Sequence, residues 1–297
     1  MQEGNIRSYI YLHLIVFVWG FTAILGQLIT LDALPLVWYR ILIAVLTLGT
    51  VFLFTKQSLK VSKNKLIQFL AAGVVIALHW LTFFWAIKVS NISITLACLS
   101  TGAFFASILE PIILKRKIDL VEMILGVVVI GALALIFSVS LDHVFGIVLG
   151  LIAASLSALF SIINSKLVKH SSPSIITFYE MVGGVLILSV FLLFTGGFTI
   201  EFFQVEAIDW FWLIVLGVFC TAFAFIGSVM ILKDLSPFTV MLTINLEPVY
   251  GILLALLIFK DDEKMNATFY FAAALILSTV IINGLIKNRK RRKLTLK

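Results

Sequence analysis

Charged residues are scarce in this chain of 297 residues. Asp, Glu, Lys and Arg together account for 12% of the positions, about half of the roughly 25% found in soluble domains. Apolar residues account for 62%. This balance excludes an ordinary soluble fold and predicts an integral membrane protein.

Cysteines and catalytic motifs are also few. The two cysteines, Cys98 and Cys220, both fall inside predicted helices, where a structural disulfide is not expected and no metal-binding spacing exists. The interior of the apolar runs has no aspartate, no histidine pair at metal spacing and no Gly-x-Ser-Gly motif, which argues against a membrane-embedded enzyme. A nucleotide-binding motif is absent as well. We therefore expect no cofactor and no step driven by ATP.

Long apolar runs, by contrast, are abundant. Each is about 20 residues long, enough for a helix to cross a hydrocarbon core of roughly 30 Å. We place ten of them at residues 8–29, 35–55, 66–87, 93–114, 119–139, 145–168, 174–195, 210–232, 238–259 and 267–286. The alternation of barrel strands is missing, and helices satisfy their own backbone hydrogen bonds in lipid. The predicted fold class is all-α, a polytopic membrane protein with ten transmembrane helices.

Internal repeats organise these ten helices. With a shift of 145 residues, 86–91 aligns with 231–236, and with a shift of 140, 38–42 aligns with 178–182. Each half has an odd number of crossings, so the two five-helix halves must insert in opposite orientations, as in transporters built from inverted repeats. We predict a first repeat over 1–140, a second over 141–286 and a basic tail over 287–297. The dipeptides Glu110-Pro111 and Glu247-Pro248 would need a shift of 137, which we treat as a coincidence.

The loops show a strong charge asymmetry. With the N-terminus in the cytoplasm, most of the 22 Lys and Arg residues fall on the cytoplasmic side, and most acidic residues fall outside. This pattern follows the positive-inside rule and predicts a plasma membrane protein, as in a bacterial inner membrane, with both termini cytoplasmic. The net charge of +7 is spread over short loops and the tail. It indicates contact with anionic lipid and not nucleic-acid binding.

Short motifs are spread along both halves. They are Trp19-Gly20, Trp38-Tyr39-Arg40, Leu78-His79-Trp80, Ala86-Ile87-Lys88 and Asn245-Leu246-Glu247-Pro248. Together they resemble the EamA family of the drug/metabolite transporter superfamily, which implies a ten-helix exporter or exchanger of small metabolites with a central cavity. Such proteins often have a proline where this chain has Ala103, the counterpart of Pro248. We therefore do not expect predicted helices 4 and 9 to bend symmetrically.

An ionisable side chain inside a membrane span costs free energy, and such a side chain normally binds a ligand or pairs with another group. Glu247 lies midway along predicted helix 9, and Thr243 and Tyr250 share its helical face. These three are candidate substrate-binding residues, with Glu247 as a carboxylate that binds an amine or carries a proton. The alternative is that Glu247 only caps the helix beside Pro248, where a backbone hydrogen bond is missing.

Predicted helix 3 carries His79, Trp80 and Phe83 near the middle of the membrane. Imidazole titrates near neutrality, so His79 suits contact with substrate or proton coupling, although a hydrogen bond between helices is an equal alternative. Trp19 in helix 1 and Trp80 are deep enough in their spans to form cavity walls, whereas core packing is the simpler explanation for each. We include all four as candidate substrate-binding residues.

Arg40 and Glu180 occupy mirrored positions in predicted helices 2 and 7, and we do not expect them to touch. Inversion places Arg40 toward the outside, either as an interface residue whose charge reaches the lipid headgroups or as an outer-gate contact. Glu180 lies toward the inside, either paired with a loop lysine such as Lys169 or used in coupling. With Glu247, these residues are the candidates for coupling or gating.

A polar stripe on predicted helix 6 consists of Ser157, Ser161 and Asn164, at positions i, i+4 and i+7. Such a stripe lines a cavity or makes hydrogen bonds between helices. We include it among the candidate substrate-binding residues.

The predicted function is secondary active transport of a small metabolite, such as an amino acid, an amine or a related compound, by alternating access. The alternative is a channel or facilitator, although no charged ring or filter motif supports one, and an enzyme is less favoured. The expected partners are the small-molecule substrate and membrane lipid, and a homodimer is left open.

Overall fold

The computed structural model describes residues 6–115, 120–235 and 237–295, and the regular elements within these ranges are all helical. The helices are α1 (Ile6–Leu28), α2 (Ala33–Thr55), α3 (Lys63–Val89), α4 (Ile92–Leu99), α5 (Gly102–Leu114), α6 (Leu120–Val139), α7 (Val144–Leu167), α8 (Pro173–Thr195), α9 (Ile200–Phe203), α10 (Ala207–Ile214), α11 (Ala224–Ile231), α12 (Pro237–Ile244), α13 (Glu247–Phe259) and α14 (Ala267–Thr295). A π-helical segment, Val215–Phe223, joins α10 to α11, and 3₁₀ turns at Leu141–His143 and Lys260–Glu263 precede α7 and α14. The predicted all-helical fold is confirmed for these ranges.

Several helices have the length and apolarity of membrane spans. Within the described residues there are seven, namely Arg7–Leu28, Ala33–Thr55, Lys63–Val89, Ile92–Leu114, Leu141–Leu167, Pro173–Thr195 and Ala207–Ile231, together with shorter apolar helices at Ile124–Ser138 and Ala267–Thr279. Large apolar side chains also point outward: Phe194 is 90% exposed and Leu53 is 79% exposed. Extended apolar surface of this kind marks contact with lipid. The protein is a multi-pass membrane protein.

Helix boundaries recur along the chain at the two offsets found in the sequence. α2 begins at Ala33 and α8 begins 140 positions later, and both have 23 residues. α4 and α12 have 8 residues each, α5 and α13 have 13 each, and both pairs begin 145 positions apart. An offset of 137 fits none of these pairs, because Glu110-Pro111 lies inside α5 whereas Glu247-Pro248 begins α13.

The prediction that helices 4 and 9 bend unequally is wrong. The first is interrupted at 100–101, between α4 and α5, and the second at the equivalent 245–246, between α12 and α13. In the first break the hydroxyls of Ser100 and Thr101 donate to backbone carbonyls of the preceding turn, at 3.1 and 2.7 Å. In the second, Pro248 has no N–H with which to continue the helix. Hydroxyl side chains and a proline thus accompany breaks at equivalent positions, and both are tolerated in membrane helices.

α2 and α8 pack against each other, and two tyrosine contacts show that they run in opposite directions. The hydroxyl of Tyr39, near the start of α2, donates to the carbonyl of Phe202, which follows the end of α8, at 3.2 Å. The hydroxyl of Tyr179, near the start of α8, donates to the carbonyl of Leu59, which follows the end of α2, at 2.7 Å. Each tyrosine therefore ties the start of its own helix to the segment after the other helix.

α3 packs against both α7 and α8, and glycines allow α3 and α8 to approach closely. An added Cβ at Gly73 would overlap the backbone carbonyl of Glu180, and one at Gly183 would overlap the backbone of Leu70. Backbone atoms at such a contact cannot turn aside as a flexible side chain can. The position of α8 is therefore coupled to that of α3.

We expect Gly73→Ala to lower the amount of folded protein in the membrane, because overpacking costs about 1–3 kcal/mol. Gly131→Ala is a matched control, since a Cβ added there meets nothing within 4 Å. Size-exclusion chromatography of fluorescent fusions measures both amounts. Equal amounts of the two variants would contradict the close packing of α3 on α8.

Candidate functional site

A cavity of about 70 Å³ lies between helices of the two repeats. One water molecule needs roughly 10–15 Å³ of such space, so the cavity holds several waters or a small solute. Eight of the residues expected at the site line it: Trp19, Arg40, His79, Trp80, Phe83, Ser157, Ser161 and Glu247. They come from α1, α2, α3, α7 and α13.

Arg40 is the least exposed charged residue of this lining, at 1%. Its Nε donates to Thr221 Oγ1 at 2.7 Å, and its guanidinium carbon lies 4.0 Å from the ring centre of Trp80 and 5.4 Å from that of Phe84. Cation–π contact and this hydrogen bond together orient the group. The Nη1 atom is buried and has no hydrogen-bond partner within the described part of the chain.

The outer-gate contact stays a prediction for Arg40, whereas the alternative of an interface residue is wrong. The side chain is 1% exposed and lines the cavity. Trp80 and Thr221 hold it there. An extended guanidinium can place its charge several ångströms from its own Cα, so position along a helix does not give the depth of the charge.

Thr221 belongs to the π-helical segment Val215–Phe223. Its hydroxyl donates to the carbonyl of Leu216, five residues earlier, at 2.7 Å while it accepts from Arg40. Gly217 in the same segment faces Ile43 and the backbone of Arg40, where a Cβ would be crowded. π-Helical turns are frequent at functional sites, and this one brings an acceptor to the buried guanidinium.

Glu247 is the first residue of α13 and is 6% exposed. Its carboxylate faces the cavity and interacts electrostatically with Arg40. The N-terminus of a helix stabilises negative charge. The break before α13 therefore interrupts the helix and also stabilises a carboxylate at the first residue of α13. Gly102 holds the equivalent position at the start of α5, so the acid is present in only one repeat.

Phe225 lies at the centre of an aromatic cluster that sequence reasoning missed. Its ring centre is 4.8 Å from that of Trp80, 5.4 Å from that of Trp19 and 5.8 Å from that of Phe160. The offset of 145 makes Phe225 the equivalent of Trp80, so the repeat contained a signal that could have identified it. Thr22, Ser228 and Met241 also line the cavity and were not predicted.

Cavity lining and a hydrogen bond between helices, both considered for His79, are present together, whereas proton coupling stays a prediction. His79 lines the cavity, and its Nδ1 lies 2.8 Å from the carbonyl of Ala153 on α7. Because a carbonyl can only accept, Nδ1 carries the hydrogen in this contact. The ring stacks on Phe83 with 6.1 Å between centres.

Four predicted residues lie outside the cavity lining. Asn164 Nδ2 donates to Glu180 Oε1 at 2.7 Å. Glu180 is fully buried, so the alternative in which it pairs with a loop lysine such as Lys169 is wrong. Thr243 is buried in α12, and Tyr250 packs its ring against Phe17 at 5.4 Å. The break at 245–246 separates Thr243 from the helix of Glu247, so the expected common face is interrupted.

A model of the EamA-like transporter family matches residues 6–138 and again residues 144–285. The chain belongs to the EamA-like transporter family. The two matches correspond to the two repeats of helices described above. Family membership identifies the protein as a transporter and does not specify what it carries.

Individual proteins also resemble the chain. An uncharacterized transporter of Bacillus subtilis (strain 168), YxxF, is 25% identical over 246 residues, which cover 80% of this chain and 77% of that protein. A protein of known crystal structure matches the fold with a TM-score of 0.68 at 11% identity, over 94% of this chain and 98% of the other. The second likeness concerns the fold alone.

Proposed function

We propose that this protein is a secondary transporter in the plasma membrane that carries a small zwitterionic metabolite, such as an amino acid, by alternating access. One observation carries the proposal: Arg40 and Glu247, from opposite repeats, place a guanidinium and a carboxyl group on the wall of one cavity, and both side chains are buried. A buried pair of charges is costly unless it has a use or excellent partners. Binding the two charges of one solute is such a use.

The cavity chemistry fits a zwitterion. Arginine binds carboxylates with directed N–H groups, and Nη1 of Arg40 has no hydrogen-bond partner among the described residues. Glu247 would bind the ammonium group. Trp19, Trp80 and Phe225 form a wall suited to an apolar or aromatic side chain. An amine without a carboxylate would use Glu247 alone and leave Arg40 unpaired.

We infer ten membrane spans in two inverted halves. Counting α4–α5, α10–α11 and α12–α13 as one span each gives five per half, and the matching boundaries at offsets of 140 and 145 support this count. The antiparallel packing of α2 and α8 and their reciprocal tyrosine contacts support the inversion. Both termini would then lie in the cytoplasm.

Reporter fusions test this topology. We expect fusions within 56–65 and at Lys297 to report a cytoplasmic location and fusions within 200–208 to report an external one. The same reporter is used at all three places, and normalising each signal to the amount of fusion protein removes differences in expression. An external signal from the C-terminal fusion would contradict the inverted arrangement.

Alternating access requires contacts that close one end at a time. At the predicted outer end, the Asp209 carboxylate accepts from Thr30 N and Oγ1 at 3.0 and 2.6 Å. The Glu263 carboxylate accepts from the backbone N–H groups of Ile92 and Ser93 at 2.8 and 2.9 Å. Both contacts join the second repeat to the first, so opening the outer end would break them.

Competition among related solutes tests the substrate class. We expect an amino acid to inhibit uptake of a labelled amino acid at least tenfold better than its methyl ester or its N-acetyl derivative, because each derivative loses one charge and about 1.5–3 kcal/mol of charged hydrogen bonding. Proteoliposomes without the protein provide the background. Equal inhibition by the ester would contradict the role of Arg40, and equal inhibition by the N-acetyl compound would contradict that of Glu247.

A further inference from the structure

Four buried oxygen atoms on α7 and α8 have no hydrogen-bond partner among the described residues. They are Ser161 Oγ, Asn164 Oδ1, Thr177 Oγ1 and Glu180 Oε2. On each helix the two residues are three positions apart and so share a face, and the bond from Asn164 to Glu180 joins the two faces. Buried polar atoms are seldom left unpaired. The cluster is therefore incomplete as a purely structural contact.

Glu180 is fully buried, at 0% exposure, and its polar side-chain partner is the neutral amide of Asn164. An ionised carboxylate in such a place is costly without a cation. The ionisable side chains on the helices that surround α8 bond elsewhere or are exposed: Tyr39 to Phe202, Arg40 to Thr221, Lys65 to His170, His79 to Ala153, Lys88 to Ile29 and Lys166 to Ile113, with Lys63 at the surface. On α8 itself, Tyr179 bonds to Leu59.

We propose that Glu180 and Asn164 form a proton-binding site that is separate from the substrate cavity and linked to it through Ser161. The proton comes from water and binds Glu180 Oε2, which neutralises the carboxylate and converts this oxygen from an acceptor into a donor. Asn164 Oδ1 has no hydrogen-bond partner among the described residues and can only accept. One proton thus removes the uncompensated charge and adds a donor beside this amide.

The link to the cavity follows from the helices that carry these residues. Ser161 lines the cavity and lies one turn from Asn164 on α7, so a solute against Ser161 and a proton at Glu180 act on the same part of α7. The backbone of Glu180 also packs on Gly73 of α3, the helix that carries His79 and Trp80. This step rests on the proposed transport function, in which protonation of Glu180 accompanies the movement of substrate.

Infrared difference spectroscopy of the purified full-length protein in lipid tests proton binding without a known substrate. A protonated carboxyl group has a C=O stretch distinct from that of a carboxylate. We expect a pH-dependent carboxyl band in the wild type, and loss of one component of it in Glu180→Gln. In Asn164→Ala, which retains Glu180, this component should move to higher frequency because its hydrogen-bond donor is gone.

Two further variants separate the carboxyl groups. Glu201→Gln changes an exposed carboxylate and should leave the Glu180 component of the carboxyl band intact. Glu247→Gln should remove only the component of the band that comes from Glu247. A component that survives Glu180→Gln, or that does not shift in Asn164→Ala, would overturn the proposal. A component that responds to Na⁺ at constant pH and not to pH would assign the oxygens to a metal cation and would also overturn it.

The transport proposal fails in a different way. If the Glu180 component of the infrared band is present but the protein shows no carrier behaviour, the proposed function is contradicted and the proton site is not. If the protein transports but the Glu180 component is absent, the proton site is contradicted and the proposed function is not. In proteoliposomes that transport, we expect Glu180→Gln to abolish acceleration of uptake by a pH gradient, and retained acceleration would refute the coupling step.

Discussion

Replacing Arg40 with glutamine should lower transport efficiency by roughly thirtyfold or more. Removing one partner of a buried pair of opposite charges costs about 2–5 kcal/mol, and 1.4 kcal/mol is about a factor of ten. The guanidinium is held by Trp80 and Thr221 with Nη1 unpartnered, so its loss removes the group that would bind the substrate carboxylate. Arg40→Lys should not restore transport, because an ammonium group cannot reproduce the planar, directed donors.

A double variant separates folding from binding in this test. Arg40→Gln alone leaves Glu247 without its opposite charge, whereas Arg40→Gln combined with Glu247→Gln removes both charges and restores the balance. We therefore expect the double variant to accumulate in the membrane better than Arg40→Gln and still fail to transport. Uptake per molecule near the wild-type value in either variant would exclude Arg40 from the binding site.

Replacing Glu247 with glutamine should lower transport at least tenfold while the protein still folds. The amide retains the size and much of the hydrogen bonding of the carboxyl group, but it neither titrates nor pairs with an ammonium ion. Any residual uptake should also lose the part of its pH dependence that comes from titration of Glu247, whereas the acceleration by a pH gradient assigned to Glu180 should remain. Flux measured against pH, normalised to the amount of protein in the membrane, checks both expectations.

Glu201→Gln is the matched control for this change, because it makes the same substitution at an exposed position away from the cavity. It should leave flux and pH profile within about twofold of the wild type, as expected for a surface substitution of about ±0.5 kcal/mol. If Glu247→Gln behaves like this control, the carboxylate serves only the helix break before Pro248.

Much of the fold could be predicted from the sequence because the two repeats share local sequence patterns at fixed offsets. The offsets of 140 and 145 reappear as equal helix lengths in α2 and α8 and in α5 and α13. The stripe of Ser157, Ser161 and Asn164 was predicted from periodicity along one uninterrupted helix. Ser157 and Ser161 line the cavity, whereas Asn164, the third member, bonds to Glu180 instead.

Other features depend on tertiary structure. Tyr250 was grouped with Thr243 by helical periodicity, but the break at 245–246 separates them, and Tyr250 packs on Phe17 instead. The inward reach of Arg40 depends on Trp80 and Thr221, which are distant in sequence. The symmetric break at 100–101 was missed because serine and threonine hydroxyls can bond to backbone carbonyls where a proline was expected.

Counterflow in proteoliposomes tests most directly whether the central cavity belongs to an alternating-access carrier. Vesicles containing the purified protein would be loaded with an unlabelled amino acid and diluted into a trace of the same labelled compound, with vesicles containing the Arg40→Gln, Glu247→Gln double variant as the control. We expect the internal substrate to accelerate entry of the label in a saturable way, with transient accumulation above the external concentration, and the double variant to show neither effect. Entry that is linear with concentration and indifferent to the internal substrate would contradict the carrier and favour a channel.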